Sequence, residues 1–337
     1  MSQRVLVTGG SGYLGSHCIV ALLRHGYTVR TTVRSLSKAD SVRAMVAGAG
    51  QDAGQVEVVT ADLMSDDGWD TAVSGCDAVL HVASPFPLGV PKDPQELIVP
   101  ARDGTLRVLR AAADAGVGKV VLTSSFAAVG YGHNELGRPF TEADWTDLDG
   151  PRPVAPYPHS KTIAERAAWD FAAEHPALQL TVVNPVGILG PPLGSDLGTS
   201  VSMVSRFLDG MPGVPNVRMG LVDVRDVAEL HVLALANPKA AGERFLAVAE
   251  HFVSMAEVGR MLKEELGDRA RKVPTRVLPD WLVRLVGRFD PAVGQLATEI
   301  GLDRDATSQK AHELLGWTTR PLRVTLKETA EALPESG

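Results

Sequence analysis

The feature that most constrains the fold is an alternation, over the first 185 residues, between short runs rich in β-branched residues and longer amphipathic stretches. Strands separated by helices of about ten or more residues form right-handed crossovers and a parallel sheet. The strand candidates are nearly continuous in apolar residues, as is typical when both faces are covered. The pattern predicts an α/β fold with a doubly wound parallel Rossmann sheet. The predicted strands span residues 4–8, 28–33, 56–60, 78–82, 119–123 and 180–183, and the predicted helices span residues 12–25, 38–47, 68–73, 93–115 and 157–174.

The character of the sequence changes after Pro185, where glycine and proline cluster and shorter, mixed elements follow. We expect residues 1–185 to form a dinucleotide-binding domain. Residues 186–337 are expected to form mainly a smaller C-terminal substrate-binding lobe. The sheet is expected to regain elements from about residues 222–249, namely a helix at 223–236 and a strand at 243–249.

Composition narrows the partners and the compartment. The net charge of −7 and the pI near 5.7 argue against a general nucleic-acid-binding surface. The sequence contains no run of 18 apolar residues, and its N-terminus enters a strand without room for a signal peptide. We therefore expect a cytoplasmic monomer or homodimer with neither a membrane nor a nucleic-acid partner. Cys18 and Cys76 lie in apolar runs, which predicts buried free thiols, and no cysteine spacing typical of a metal site occurs.

A glycine-rich turn follows the first predicted strand. Residues 8–15 read TGGSGYLG, with Gly9, Gly12 and Gly15 in the G-x-x-G-x-x-G spacing. The first glycine permits a tight turn, the second lets the backbone approach a pyrophosphate, and the third allows the helix to pack closely on the strand. The start of the helix offers free N–H groups and a positive dipole end to the phosphate. A strand before this turn and a helix after it are the context that predicts a dinucleotide site.

The end of the second predicted strand indicates which nucleotide binds. An NAD site usually has Asp or Glu there, which accepts a hydrogen bond from the ribose 2′-hydroxyl. This chain has Arg34 instead, nineteen residues after Gly15. A guanidinium binds a 2′-phosphate through charge-assisted hydrogen bonds. Lys38 is either a second cation for that phosphate or a solvated charge at a helix start, and we expect NADP(H) in preference to NAD(H).

Two further strand ends are expected at the same edge of the sheet. Asp62 and Leu63 follow the third predicted strand and are placed to contact the adenine, although Asp62 also suits an ordinary helix cap. The run HVASP at residues 81–85 ends the fourth strand beside the point where the strand order reverses. We expect the backbone of residues 82–84 to line the pyrophosphate and ribose, and His81 to be structural.

A Tyr-x-x-x-Lys motif opens the helix after the fifth predicted strand. Tyr157 and Lys161 are four residues apart, so their side chains share one helix face. A free phenol has a pKa near 10, and a nearby ammonium together with oxidised nicotinamide lowers that pKa towards the working pH of a general acid. The fifth strand ends in TSS at residues 123–125, where a hydroxyl can hold a substrate oxygen beside the phenol. The residues alone allow either Ser124 or Ser125.

Together these motifs resemble the extended short-chain dehydrogenases/reductases, specifically the branch that contains dihydroflavonol reductases and microbial aldehyde and ketone reductases. The similarity covers essentially the whole chain. The residues that carry it are the runs at 7–15, 31–34, 61–63, 81–85 and 123–125, the run YPHSKTIAERAAW at 157–169, the pairs Asn184-Pro185 and Gly190-Pro191, and LGW at 315–317.

The resemblance implies the NADPH-dependent reduction of a ketone or aldehyde to an alcohol, reversible as alcohol oxidation, with no metal. It implies Ser125 as the donor to the carbonyl oxygen, because the active hydroxyl of this family is the last of the strand-end run. It also implies Tyr157 as the acid, with Lys161 adjusting its pKa and binding the ribose. The segment at Pro185 matches the one that meets the nicotinamide in this family. The full set of expected cofactor contacts is Gly9, Gly12, Tyr13, Leu14, Gly15, Arg34, Lys38, Asp62, Leu63, Val82, Ala83, Ser84, Thr123, Tyr157, Lys161, Pro185 and Val186.

Departures from the family pattern bear on the substrate. Plant dihydroflavonol reductases hold the flavonoid with an asparagine five residues after the active serine, and this chain has Gly130 there, so a flavonoid is not expected. The Asn-Trp-Tyr-Cys-Tyr-type signature of cinnamoyl-CoA reductases is also missing, because PVAP precedes Tyr157. We expect an apolar pocket for aryl or alkyl ketones and aldehydes, although each candidate also suits ordinary core packing. The candidates are Phe86, Phe126, Tyr131, Val186 and Leu189.

Three alternative functions use the same fold or cofactor. Nucleotide-sugar epimerases and dehydratases commonly carry Arg-Asp-Tyr-Ile-His in the C-terminal lobe, whereas this chain has MGLVD at residues 219–223. Dehydratases also tend to have an Asp-Glu pair where residues 126–127 are Phe and Ala. A hydroxysteroid dehydrogenase shares the Tyr-x-x-Ser-Lys core and stays open. A non-catalytic NADP(H)-binding regulator typically lacks the tyrosine or the lysine, and this chain has both.

Overall fold

The structure, a computed structural model that describes residues 3–84 and 93–334, is built around a sheet of seven strands. The described residues contain eleven strands, seven of which form this sheet. The eleven strands are β1 (Arg4–Val7), β2 (Thr28–Val33), β3 (Val56–Thr60), β4 (Ala78–His81), β5 (Lys119–Thr123), β6 (Gln179–Pro185), β7 (Gly187–Leu189), β8 (Arg218–Met219), β9 (Leu221–Asp223), β10 (Arg244–Ala247) and β11 (Val253–Ser254). Its α-helices are α1 (Tyr13–Arg24), α2 (Ala39–Gly48), α3 (Trp69–Val73), α4 (Gln95–Asp114), α5 (Pro156–Glu174), α6 (Gly198–Asp209), α7 (Val224–Ala236), α8 (Met255–Leu266), α9 (Asp280–Val286), α10 (Pro291–Ala297), α11 (Gln309–Leu315) and α12 (Leu322–Glu331).

The seven strands of the main sheet run in the order β10-β6-β5-β4-β1-β2-β3, and every neighbouring pair is parallel. From β1 the chain first adds strands on one side and then crosses to the other side at β4, so the strand order reverses between β1 and β4. In an open α/β sheet, the crevice beyond the strand carboxyl ends at this reversal is where ligands bind. The prediction of a doubly wound parallel sheet is confirmed.

Strand side chains alternate between the two faces of the sheet, so apolar residues lie on both faces. Helices cover both faces and bury these residues. Val5 and Val7 of β1 join the hydrophobic cluster that contains α1 and α7, whereas Leu6 joins the cluster beneath α4 and α5. All three side chains are completely buried. Full burial of one aliphatic side chain stabilises the fold by about 1.5–3 kcal/mol. The site at the sheet edge therefore rests on a core packed from both sides.

The predicted elements agree closely with the observed ones. The strands predicted at residues 28–33, 56–60 and 119–123 match β2, β3 and β5, whereas β6 is longer than predicted. The late segments return to the main sheet as predicted, since β10 pairs with β6 and α7 packs against β5 and β6. The predicted domain division at residue 185 stays a prediction. The sequence did not reveal the short pairings of β7 with β9 and of β8 with β11.

Two findings concern the cysteines and the helices. Cys18 and Cys76 are buried free thiols, as the sequence predicted. Burial raises the pKa of both thiols, which keeps them in the neutral form.

None of the helices within residues 3–84 and 93–334 is long and apolar enough to cross a membrane.

Candidate active site

Three positions of the glycine-rich turn between β1 and α1 leave little room for a side chain. Gly9 has a φ of +72°, and a Cβ there would lie 3.0 Å from the Ala83 Cβ. A Cβ on Gly12 would lie 3.2 Å from the Gly9 carbonyl oxygen, and one on Gly15 only 2.3 Å from that oxygen. A side chain at Gly15 would clash with the backbone, and the close approaches at Gly9 and Gly12 favour glycine there, where the turn, the helix and the end of β4 lie against one another.

The start of α1 has no side-chain cap. Gly12 is its N-cap residue and has no side chain to cap it, and the amide of Ser16 makes the bond back to the Gly12 carbonyl oxygen, 3.0 Å long. The N–H groups of the first helical turn have no partner within the helix and add to the positive end of its dipole. A glycine cradle next to such a helix start fits the pyrophosphate of a dinucleotide. Tyr13 and Leu14, predicted to contact the cofactor, occupy this first turn and are mostly buried.

Thr8 joins the end of β1 to the end of β4. Its buried Oγ1 accepts hydrogen bonds from the amides of Val82 at 3.0 Å and Ala83 at 2.9 Å, and it lies 2.9 Å from His81 Nδ1. Burial lowers the pKa of His81 to about 3, with the charge of Lys161 acting in the same direction, so this histidine is neutral at pH 7. These contacts fit the structural role predicted for His81 and fix the segment predicted to line the ribose.

The residues predicted to choose the nucleotide lie at the ends of β2 and β3. Arg34 and Lys38 are exposed, and neither belongs to an ion pair among the described residues. The Asp62 carboxylate accepts a hydrogen bond from the amide of Met64 at 3.0 Å, so locally it caps a turn rather than a helix. Leu63 is half-buried. Their contacts with an adenosine phosphate stay predictions.

The three predicted catalytic residues come together at the same edge. Tyr157 lies in the first turn of α5, which begins at Pro156, a residue type suited to that position. Its hydroxyl is hydrogen-bonded to Ser125. Lys161 Nζ lies 6.0 Å from the centroid of the Tyr157 ring and donates to Ser84 Oγ at 3.0 Å. The structure thus places together the residues predicted from three separate segments, and their catalytic roles stay predictions.

The pKa values at the site are dominated by burial. Burial raises the pKa of Tyr157, the hydrogen bond with Ser125 lowers it, and Tyr131 raises it. In the protein alone the balance is therefore opposite to the lowering expected from the motif, because desolvation of the phenolate outweighs its hydrogen bond. Burial also lowers the pKa of Lys161 to about 8, and the charge of Glu165 opposes this change. Lys161 is consequently still mostly protonated at pH 7.

The strand-end hydroxyls have different partners. Ser125 Oγ accepts the amide of Ala127 at 3.1 Å in addition to its bond with Tyr157. Ser124 Oγ is buried and donates to Glu165 Oε2 at 2.5 Å. Thr123, predicted to contact the cofactor, has its Oγ1 2.7 Å from His231 Nε2. Of these three hydroxyls, that of Ser125 is the one hydrogen-bonded to Tyr157, and its role as the active serine stays a prediction.

The predicted pocket residues divide into core and partly exposed positions. Leu189 has no exposed surface, and Phe126 packs in the core with its ring centroid 5.2 Å from that of Phe252. These two follow the core-packing alternative that the sequence left open. Tyr131 and Val186 are half-buried, and Pro185 is buried at the end of β6. Phe86 lies outside the described residues.

Sequence reasoning missed a group of buried polar residues behind this site. Glu165 accepts hydrogen bonds from Ser124, Asn184 and Arg244. The sequence contained one signal for this group, because Glu165 follows Lys161 by four residues and so shares its helix face. The partners on β6 and β10 are distant in the sequence and had no pattern that linked them to it.

Known proteins resemble this chain along most of its length. The sequence profile of the NAD dependent epimerase/dehydratase family matches residues 5–248. A cinnamoyl-CoA reductase of Medicago truncatula is 36% identical over 340 residues, which cover 98% of this chain and 95% of that protein. A ketoreductase of Aspergillus niger is 32% identical over 358 residues, which cover 100% of this chain and 99% of that protein.

A solved structure gives the same result for the fold. The yeast methylglyoxal/isovaleraldehyde reductase, crystallised with NADPH, superposes with a TM-score of 0.80 at 27% identity and covers 98% of each chain. The profile match covers more than half of the chain, and two relatives above 30% identity cover nearly all of it. The chain therefore belongs to the NAD dependent epimerase/dehydratase family, among the extended short-chain dehydrogenases/reductases that include the cinnamoyl-CoA reductases and ketoreductases.

Proposed function

We propose that this protein uses NADPH to reduce a ketone or aldehyde to the alcohol, and that it catalyses the reverse oxidation with NADP⁺. One observation carries the proposal. The hydrogen-bonded pair Ser125 and Tyr157 lies on the same side of the sheet edge as the glycine turn, with Lys161 on the helix face of Tyr157. Relatives support the reaction class, since they include a ketoreductase and a methylglyoxal/isovaleraldehyde reductase that was crystallised with NADPH.

The cofactor would be held by groups that the fold already presents. The backbone of the glycine turn and the start of α1 would bind the pyrophosphate, and Lys161 would bind the ribose next to the nicotinamide. Arg34 would bind the 2′-phosphate, because it is an exposed cation at the end of β2 where an NAD enzyme has a carboxylate. Bound NADPH supplies the hydride for the carbonyl carbon.

The protein supplies the proton and the orientation of the carbonyl. Ser125 and Tyr157 donate hydrogen bonds to the carbonyl oxygen, and Tyr157 transfers its proton to that oxygen as negative charge develops there. The ammonium of Lys161 stabilises the phenolate that remains on Tyr157. Because the pKa of Lys161 is about 8, this ammonium is present over the neutral pH range.

The substrate side of the site favours a compact apolar carbonyl compound over a flavonoid. A Cβ on Gly130 would lie 2.2 Å from Cζ of the Phe126 ring, so no side chain that could hold a flavonoid fits at this position. Tyr131 and Val186 are half-buried and pack against the same aromatic cluster as Phe126. Their exposed parts offer an aromatic ring and an aliphatic group to the substrate.

Replacing Tyr157 with phenylalanine tests the proposal. NADPH oxidation would be followed by its absorbance with a panel of aryl and alkyl ketones and aldehydes. We expect Tyr157→Phe to bind NADPH as the wild type does but to lose about 10²–10⁴-fold in kcat, the usual contribution of a general acid. Tyr27→Phe is the matched control, because Tyr27 is a half-buried residue between α1 and β2, away from the site.

Three outcomes would overturn the proposal. Substantial turnover by Tyr157→Phe would remove this phenol as the acid. If none of the carbonyl compounds led the wild type to oxidise NADPH, but the wild type converted UDP-sugars without net redox change, the protein would be an epimerase and not a reductase. NADPH binding without turnover of either class would favour a regulator.

A further inference from the structure

A buried carboxylate that the proposed reaction does not use lies one helical turn beyond Lys161. Glu165 is only 1% exposed and lies on α5 at the same spacing from Lys161 as Lys161 has from Tyr157. Residues four apart in an α-helix are neighbours on one face. Because an isolated buried carboxylate is costly, this one requires partners.

Four hydrogen-bond donors converge on the carboxylate of Glu165. Oε2 accepts from Ser124 Oγ at 2.5 Å and from Asn184 Nδ2 at 2.7 Å. Oε1 accepts from Arg244 Nε at 2.6 Å and from Trp169 Nε1 at 3.3 Å. The donors belong to the end of β5, to β6, to β10 and to α5 itself. One side chain thus connects three neighbouring strands to the helix that carries Tyr157.

This network reaches both of the groups that flank the phenol. Asn184 Nδ2 also donates to the backbone carbonyl of Ser125 at 3.2 Å, so it links Glu165 to the residue that bonds Tyr157. On the other side, the charge of Glu165 raises the pKa of Lys161 against the lowering caused by burial. Geometry and charge therefore both lead from Glu165 to the proposed catalytic residues.

Within residues 3–84 and 93–334, Glu165 is the principal counter-charge of Lys161. At the end of β4, Ser84 accepts from the ammonium, and His81 is neutral because burial lowers its pKa to about 3. The charged side chains of α4, which packs along α5, are all at least partly exposed. From β10, Arg244 faces Glu165 and stacks on the Trp145 ring at 3.9 Å. Charge therefore alternates from Lys161 to Glu165 to Arg244.

We propose that Glu165 is a positioning residue of the active site. Its carboxylate connects the ends of β5 and β6 to α5 and holds one negative charge beside Lys161. The positive charge of Arg244 determines how strongly that negative charge acts on Lys161. The inference rests on the proposed function, because the role concerns Ser125, Tyr157 and Lys161. It predicts opposite electrostatic effects from the two halves of a single buried ion pair.

The test replaces each half of that pair in turn. Glu165→Gln removes the negative charge, which lowers the pKa of Lys161 and the apparent pKa of the coupled Tyr157–Lys161 pair by about one unit. Arg244→Gln removes a positive charge and keeps an amide donor to Glu165, so it raises the same pKa values. Both variants lose the same ion pair, so a merely structural role would change stability in both and would not shift the pKa values in opposite directions.

Two measurements are made on each variant. The pKa of Lys161 is followed by NMR in lysine-labelled protein without cofactor, with the signal assigned by its loss in Lys161→Met. The pH profile of kcat/KM is measured with the best carbonyl substrate of the wild type. For Glu165→Gln we expect the alkaline limb to move to lower pH and kcat to fall about tenfold or more through misalignment, with a smaller change in KM. For Arg244→Gln the limb moves to higher pH.

The outcomes separate this inference from the proposed function. Shifts of equal sign in the two variants, or no shift of the Lys161 pKa in either, would overturn the role of Glu165. Opposite shifts by NMR in a protein that reduces no carbonyl compound would overturn the proposed function and leave the charge relation intact. If Glu165→Gln does not fold, Glu165→Asp provides the test, because it keeps the charge and withdraws it by one methylene. A lower kcat with an unchanged pH limb is then expected, and an unchanged kcat would overturn the positioning role.

Discussion

A methyl group on Gly15 would push the glycine-rich turn between β1 and α1 away from helix α1. The Cβ of Gly15→Ala would lie 2.3 Å from the Gly9 carbonyl oxygen, 3.0 Å from the Gly9 carbonyl carbon and 3.3 Å from the Gly10 Cα. These are backbone atoms, and the Gly9 carbonyl is also held by the amide of Gly12 at 2.9 Å. Since carbon contacts are ordinarily about 3.5–4.0 Å, the turn and α1 must move apart by roughly an ångström.

The magnitude follows from two opposing effects. Overpacking a tight contact costs about 1–3 kcal/mol. Alanine recovers about 0.8–1 kcal/mol over glycine within a helix, so we expect Gly15→Ala to lower the free energy of unfolding by up to about 2 kcal/mol. At about 2.1 cal/mol/K of unfolding entropy per residue, this lowers Tm by up to about 3 °C. Displacement of the backbone N–H groups of the glycine-rich turn should raise the NADPH dissociation constant about tenfold or more, which corresponds to about 1.4 kcal/mol.

Gly48→Ala is the matched control for this prediction. Gly48 ends α2 without a left-handed φ, and a Cβ there would meet nothing within 4 Å. We expect it to raise stability by about 0.5–1 kcal/mol and to leave NADPH affinity unchanged. Calorimetric melting and a fluorescence titration with NADPH measure both quantities. If Gly15→Ala melts at or above the wild-type temperature and binds NADPH with wild-type affinity, the steric explanation of the turn is wrong.

Two further predictions concern nucleotide choice and acid stability. Arg34→Glu should lower the affinity for NADPH at least about tenfold relative to NADH, because it puts a carboxylate next to the 2′-phosphate, and an unchanged ratio of the two dissociation constants would refute the role of Arg34. Burial lowers the pKa of His231 to about 4 and that of His81 to about 3, both below the unfolded value of 6.5. The folded state therefore binds fewer protons than the unfolded state, and the stability present above pH 6.5 is lost as the pH falls towards 4. Each histidine should account for about 1–2 kcal/mol between pH 7 and 5 in denaturant unfolding, His231→Gln should weaken this dependence, and equal stability at the two pH values would contradict it.

The sheet could be predicted from the sequence because its strands are short, β-branched and buried on both faces. The runs that became β2, β3 and β5 have clear limits, and the parallel order follows from the helices between them. The pairings of β7 with β9 and of β8 with β11 involve strands of two or three residues, which are too short to show a period. They form where the tertiary fold brings the backbones together.

The site was predictable where local spacing determines it and unpredictable where the fold does. The glycine turn and the pair Tyr157 and Lys161 depend on spacing within one turn and one helix. Arg244 is 79 residues from Glu165, and only the pairing of β10 with β6 brings it there. A buried ion pair of this kind has no periodic signature, so its members look like ordinary charges in the sequence.

The choice between Ser124 and Ser125 shows how the sheet assigns roles to adjacent residues. Neighbouring side chains of an extended segment point in opposite directions, and the backbone stays extended at Ser125, with φ −163° and ψ 154°. The hydroxyl that reaches Glu165 therefore cannot also reach Tyr157. Of the two adjacent serines, Ser124 is buried against a carboxylate and Ser125 is hydrogen-bonded to Tyr157, so Ser125 is the one we propose as the second donor to the substrate oxygen. The strand thus separates the group that holds the helix in place from the group proposed to bind the substrate.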